Sequence, residues 1–238
     1  MRLTKHIYKT SGVEFGTNSN TYVIDCDDHL VFLDAGFDQV QWNCIQQCLQ
    51  IWGLDNKLVT QAFITHGHYD HAGNIARLNE AGIQVIAADP DAYKIENGHP
   101  EMEELFGRPW ICGKVDLRPE DGQIFPVAKD ITVQAIAAPG HSEGSFAYVI
   151  EADGIRALCT GDMFFVKPLP PEDKVETELA YMGGWDFSRD SFRTTLKKMA
   201  SLDCNLLLPG HYYVYYGDVN KLAAQAYETL SVADGAGD

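Results

Sequence analysis

The sequence predicts an α/β chain built as two strand-rich halves with helices between them, and three observations carry that prediction. Short apolar runs of strand length recur in both halves. Between them the apolar period switches to about 3.6 residues, as amphipathic helices require. No repeat, low-complexity tract or linker interrupts the 238 residues, a length at which one undivided core is an ordinary outcome. Two similarly built halves fit a four-layer αββα sandwich better than a parallel barrel, although periodicity alone leaves both open.

Taken in order, Asn20–Ile24 and Leu30–Leu33 read as strands, with Asp27-Asp28 supplying turn chemistry between them. The second ends at Asp34-Ala35-Gly36. Asp38 is placed to cap a helix whose stripe is Trp42, Ile45, Cys48, Leu49 and Trp52, closed by Gly53. Gln61–Ile64 reads as a buried strand running into Thr65-His66-Gly67-His68. From Asp70 to about Glu80 the pattern is helical, with Ala72, Ile75 and Leu78 on one face. Ile83–Ala88 follows as a strand and Pro90–Glu96 as a short helix. Residues 97–122, punctuated by Pro100, Gly107-Arg108-Pro109 and Pro119, read as loop.

The second half repeats the style. Ile131–Ala137, Ser145–Glu151 and Arg156–Thr160 are strands, and Phe164–Asp186 is irregular. Ser188 or Asp190 caps a helix carrying Phe192, Leu196 and Met199. A strand at Asn205–Leu208 leads to Pro209-Gly210-His211, and a last helix spans Val219–Leu230.

Composition narrows the function classes. The 45% apolar and 22% charged shares belong to a globular chain. With 34 acidic against 18 basic residues, the formal net charge is -16. Such a surface repels polyanions, so nucleic acid and anionic membrane are not expected partners, and a small-molecule substrate is. The opening Met1–His6 has no apolar core of signal-peptide length, and no stretch approaches the roughly 18 apolar residues of a membrane span. The expected location is cytoplasmic. Six scattered cysteines without a CxxC pair predict reduced thiols, Cys44 and Cys48 being core neighbours one helical turn apart.

The chemistry lies in where the histidines and aspartates fall. His66, His68, His71, His141 and His211 all sit at ends of predicted strands, in glycine-containing turns, where a rigid scaffold presents ligands to a shared site. Imidazole nitrogen with carboxylate oxygen is a donor set that zinc accepts. In Thr65-His66-Gly67-His68-Tyr69-Asp70-His71, the i, i+2 spacing aims His66 and His68 the same way along an extended segment. Asp70 and His71 arrive at the turn into a helix, placed to face a second ion. His6, His29 and His99, outside any motif, read as surface polar groups. Arg108, Lys114 and Lys167 read as solvated loop charges.

The cluster His-x-His-x-Asp-His resembles the signature of the metallo-β-lactamase superfamily. Ala138-Pro139-Gly140-His141 is similar to that family's second histidine motif, Thr160-Gly161-Asp162 to its bridging-aspartate turn and Pro209-Gly210-His211 to its last histidine motif. Leu33-Asp34-Ala35-Gly36 resembles its early strand, whose Asp supports the site from behind the ligands. These matches come in family order over roughly residues 20 to 215.

The resemblance implies a single αββα domain over residues 1–238 and a homodimer as the family-level guess. It implies two metal ions, zinc with iron or manganese as alternatives. His66, His68 and His141 would hold the first, Asp70, His71 and His211 the second, with Asp162 bridging. Asp70 would also orient a metal-bridging hydroxide that attacks an ester, thioester or lactone carbonyl. Phe164, Phe165, Tyr181, Trp185 and Tyr212 are the candidate pocket wall. Glyoxalase II is similar in ligand set, but this chain has Met163-Phe164-Phe165-Val166-Lys167-Pro168 where that family carries a Gly-Cys-Gly-Arg-like stretch. Lactonases of the fold place a Tyr where this chain has Phe165. Alternatives of the same fold are a mononuclear iron enzyme oxidising persulfides, a β-lactamase and a nuclease.

Overall fold

The computed structural model describes residues 1–169, 174–180 and 186–235. In chain order the first half contains β1 (Ile7–Lys9), β2 (Tyr22–Asp25), β3 (His29–Leu33), α1 (Gln39–Ile51), β4 (Leu58–Phe63), α2 (Tyr69–Ala72), α3 (Ile75–Glu80), β5 (Gln84–Ile86), α4 (Asp91–Asn97) and α5 (Pro100–Phe106). The second half contains β6 (Ile124–Ala128), β7 (Ile131–Ala137), β8 (Phe146–Ala152), β9 (Ile155–Gly161), β10 (Phe164–Leu169), β11 (Lys174–Leu179), α6 (Arg189–Met199), β12 (Leu206–Pro209), β13 (Tyr215–Tyr216) and α7 (Val219–Gly235).

One sheet has the order β1-β2-β3-β4-β5, antiparallel as far as β3 and parallel from there to β5. The other has the order β13-β12-β9-β8-β7-β6, with β12 parallel to β9 and the remaining pairs antiparallel. The strands alternate as a doubly covered sheet must. Val31 and Leu33 of β3 face the second sheet, while Leu30 and Phe32 face the helices. In β8, Tyr148 and Ile150 face the first sheet, and Ala147 and Val149 pack toward α6 and α7. Three apolar layers between four structural ones make the αββα sandwich. Phe63 crosses the middle layer, meeting Phe125 and Tyr148 edge-on at 5.1 and 5.3 Å.

Asp38 caps α1 by accepting from the Gln41 N–H, and Gly53 follows that helix in the left-handed region at φ 66. Ser188, not Asp190, caps α6, its side chain accepting from the Ser191 N–H. The helix expected over 70–80 is broken at Gly73-Asn74. Asn74 sends its amide to the Ala35 and Asp38 carbonyls, binding the break to the loop after β3.

Two stretches depart further from expectation. Residues 97–122 contain α5, where Pro100 opens the helix and left-handed Gly107 ends it. Met102 is its one buried residue, so no apolar stripe marks it. The stretch expected to be irregular contains the β10–β11 hairpin, antiparallel from Phe164↔Leu179 to Leu169↔Lys174. β11 alternates charged residues with Val175, Thr177 and Leu179, a weak hydrophobic signal. All six cysteines are free. No helix among the described residues is long and apolar enough to cross a membrane.

Candidate metal centre

The site is assembled from strand ends. β4 runs out into Thr65–His68, and α2 immediately presents Asp70 and His71. The turn between β7 and β8 carries His141. β9 and β12 run parallel with Pro209 opposite Gly161, which brings Asp162 and His211 side by side just beyond that register. Two sheets therefore contribute to one cluster, and the backbone bond from the Phe146 N–H to the Thr65 carbonyl (2.7 Å) sews their edges together there.

Two groups of donor atoms result. His66, His68 and His141 form one and Asp70, His71, Asp162 and His211 the other, the atoms within each lying within 4.8 Å of one another. The His141 Nε2 is 3.0 Å from the His68 Nδ1. In the second group, the His211 Nε2 lies 3.1 Å from Asp70 and 3.2 Å from Asp162, and the His71 Nε2 lies 3.3 Å from Asp162. Asp162 also comes within 3.7 Å of the His141 Nε2, so it stands between the groups.

The electrostatics of the two groups differ. Burial, reinforced by neighbouring imidazoles, pushes His66 far down and His68 to about 3. His141 is pushed down as well, again chiefly by burial. All three rings are therefore neutral, the form that binds metal. In the second group burial opposes charge too, but the carboxylates outweigh it. Asp162 and Asp70 lift His71 well above its usual range and His211 to about 10. The same contacts hold Asp70 at about 2 and keep Asp162 well below its ordinary value, against burial.

The His66 Nε2, the His71 Nε2 and the Asp162 Oδ1 are buried without a hydrogen-bond partner. Buried polar atoms are seldom left orphaned, and here the orphans point into one cluster. Imidazoles and carboxylates without a thiolate suit zinc, and also iron or manganese. Cys159 lies in the core between the sheets and belongs to neither donor group.

Asp34 stands behind the candidate donors. It is 2% exposed and accepts from the His71 Nδ1 (2.8 Å) and from the Thr65 N–H (2.7 Å) and hydroxyl (3.0 Å). Its own backbone is left-handed at φ 62, a conformation aspartate tolerates. The Thr65 hydroxyl also meets the His66 Nδ1 at 3.0 Å.

Among the expected wall residues, Phe165 makes an edge-on contact with His211 (5.4 Å) and Tyr212 (5.5 Å). Phe164 is fully buried in the core against α6 and α7, because neighbouring strand residues point to opposite faces. Tyr181 and Trp185 lie outside the described residues. Tyr212, whose ring lies 6.2 Å from that of His211, and Tyr213, together with Val166, Lys167, Pro168 and Glu178, line a hollow of about 380 Å³.

Other residues near the centre had escaped the sequence reading. His99 is not a surface group: it is 1% exposed, with its ring 6.1 Å from that of His68 and its Nδ1 3.1 Å from Glu101. Arg108 is not a solvated charge, since its guanidinium lies over the rings of Phe37 (4.2 Å) and Tyr69 (3.9 Å). The turn around His211 is held from below by donors to its carbonyls. The Lys9 Nζ donates to the Tyr212 carbonyl (2.6 Å), Asn20 to that of Pro209 (2.8 Å), and Tyr22 to the same Pro209 oxygen (2.7 Å). Asp91, fully buried, bonds to both histidine loops of the first group. These residues lie far from the motifs in sequence. The only local hint was Asp89-Pro90-Asp91 at a helix start.

The profile of the Metallo-beta-lactamase superfamily matches residues 15–211. The chain belongs to that family. Among curated proteins it is similar to an atrochrysone carboxyl ACP thioesterase of Aspergillus fumigatus, 24% identical over 194 residues, covering 81% of this chain and 50% of that protein. A second atrochrysone carboxyl ACP thioesterase, from Passalora fulva, is 29% identical over 147 residues, covering 60% and 37%. The chain spans about half the length of the A. fumigatus protein. Among solved structures, a subclass B3 metallo-beta-lactamase of Bradyrhizobium japonicum superposes with a TM-score of 0.74 at 22% identity, covering 99% of this chain and 92% of that one. A metallo-beta-lactamase family protein from Thermus thermophilus gives 0.74 at 19%, covering 99% and 82%. These superpositions show the shared fold.

Proposed function

We propose that this protein is a dinuclear zinc-dependent hydrolase of a small-molecule thioester, ester or lactone. The thioester is the member of that set favoured by the names of its curated relatives. The observation that carries the reading is the convergence of orphaned imidazole and carboxylate atoms from two sheets on Asp162. His66, His68 and His141 would hold one ion, Asp70, His71 and His211 the other, and Asp162 both. Such a pair supplies an activated water near neutral pH and a Lewis acid for the carbonyl oxygen.

The protein's own groups supply the rest. The two carboxylates offset the charge of the ions, and Asp70, at the mouth of the second group, orients the attacking oxygen. Asp34 keeps the Nδ1 proton on His71 so that its Nε2 lone pair faces inward. Phe165 and Tyr212 form an apolar wall leading from His211 to the hollow, where the acyl group would lie out of water.

A panel of thioesters, lactones, aryl esters and a β-lactam, assayed with zinc and with a chelator, tests the reading. Turnover of a carbonyl substrate that the chelator removes and zinc restores is expected, with two metal equivalents bound. His68→Ala and Asp162→Ala should each abolish it and lower the metal content. One iron per chain with oxygen uptake, or no turnover by zinc-loaded protein, would overturn it.

A further inference from the structure

We infer that Asp91 is a positioning residue that fixes the geometry of the three-histidine group by stapling its two loops together. This inference rests on the metal-site reading above.

The three histidines come from different sheets. His66 and His68 leave β4 of the first sheet, and His141 sits in the β7–β8 turn of the second. Their mutual position is not set by either sheet alone. Asp91, at the start of α4 and 1% exposed, reaches both loops. Its Oδ2 accepts from the Gly67 N–H (2.7 Å), the residue between the first two histidines, and from the Ser142 hydroxyl (2.6 Å), the residue after the third. Its Oδ1 accepts from the Gly144 N–H at 3.0 Å. Among the described residues, three hydrogen-bond donors, none of them a lysine or arginine, reach this buried carboxylate. Hydrogen bonds to an ionised acceptor are the strong ones, and in a dry interior they hold geometry tightly.

The glycines of both loops fit the same purpose. A Cβ built on Gly144 would lie 2.6 Å from the backbone nitrogen and the Oδ1 of Asp91, and one on Gly67 would lie 3.2 Å from its Cβ. Both loops are cut back to let the carboxylate in. Its neighbours explain the orientation: Ser142 is further held by Ser145, whose hydroxyl is 2.6 Å away and accepts from the Ser142 N–H at 3.1 Å. Asparagine at position 91 would turn an N–H₂ group toward donors and lose at least one of the three bonds.

Zinc affinity by competition with a chromophoric chelator tests this in two backgrounds. His211→Ala leaves the three-histidine group intact, and His68→Ala leaves the Asp70, His71, Asp162 and His211 group intact. Asp91→Asn should weaken zinc binding by roughly 10–100-fold in the first background and leave it unchanged in the second. Ser142→Ala, a milder lesion, should move affinity the same way in the first background, and it decides the matter should Asp91→Asn not fold. Equal losses in both backgrounds, or none in the first, would overturn the inference. Wild-type protein that binds no zinc would instead overturn the hydrolase reading, so the two failures are distinguishable.

Discussion

Asp34 and His71 show how much one hydrogen bond decides at this centre. The imidazole is fully buried, its Nδ1 committed to Asp34 and its Nε2 turned toward Asp70 and Asp162. Asp34 is acceptor-only when ionised, so it always takes the Nδ1 proton of that ring, and a metal ion can only replace a proton at Nε2. Replacing it by asparagine would present an amide N–H₂ or force a contest with the Thr65 N–H, which takes the other oxygen. Asp34→Asn should reduce affinity for the second metal about 10–100-fold while leaving the three-histidine group filled. Metal content after dialysis against graded chelator, falling from two equivalents to one, measures it. At this scale four of the candidate donors were readable together in the sequence, because His-x-His-x-Asp-His concentrates them in six positions. Asp91, Lys9 and His99 were not, since each acts on residues that only folding brings near.

The β10–β11 hairpin is the element that gives the centre its lining. It belongs to neither large sheet, and its strands place Phe164 in the core and Phe165 beside His211 and Tyr212. The alternation was hidden in sequence by charges on β11 and Pro168 on β10, so the segment read as irregular. Phe165→Ala should leave both metal equivalents in place and raise KM for apolar acyl substrates by roughly 10-fold, from the loss of buried ring area. Stopped assays over a range of acyl chain sizes would show whether short acyl groups are spared. A matching loss of metal would show instead that the ring supports His211. The break between α2 and α3 has a similar lesson: Asn74 prefers the two loop carbonyls to a continuous helix, a tertiary bond that periodicity cannot register.

Across the whole molecule, one carboxylate gathers several bonds that tie the N-terminal segment to the second sheet. Asp153, in the β8–β9 turn, accepts from the Thr4 hydroxyl (2.6 Å) and the His6 N–H (2.9 Å), and meets the His6 ring at 2.5 Å. Partial burial works against its charge, but these bonds outweigh that and hold its pKa below the usual 3.8. A depressed carboxylate stabilises the fold above the unfolded value and loses that contribution as pH falls through the folded one. Asp153→Asn should therefore cost on the order of 1 kcal/mol at pH 7, solvent screening included, and the gap to wild type should narrow in acid as the carboxylate is protonated. Urea unfolding at neutral and at acid pH reads it out, and a gap independent of pH would refute the assignment.

By itself the sequence determined a mixed α/β class and most strand positions, and its resemblance to the family pointed to the αββα sandwich and to the seven candidate donors with Asp34 behind them. It could do so because strand alternation, helix period and closely spaced ligands are local patterns, and local patterns are written in consecutive residues. Only the tertiary structure decided that α5 and the β10–β11 hairpin form, that Phe165 and not Phe164 faces the centre, and that the donors fall into two groups meeting at Asp162. It alone revealed the carboxylate of Asp91 between the histidine loops. These depend on which strands lie side by side and which faces are covered, and no single segment of chain carries that information.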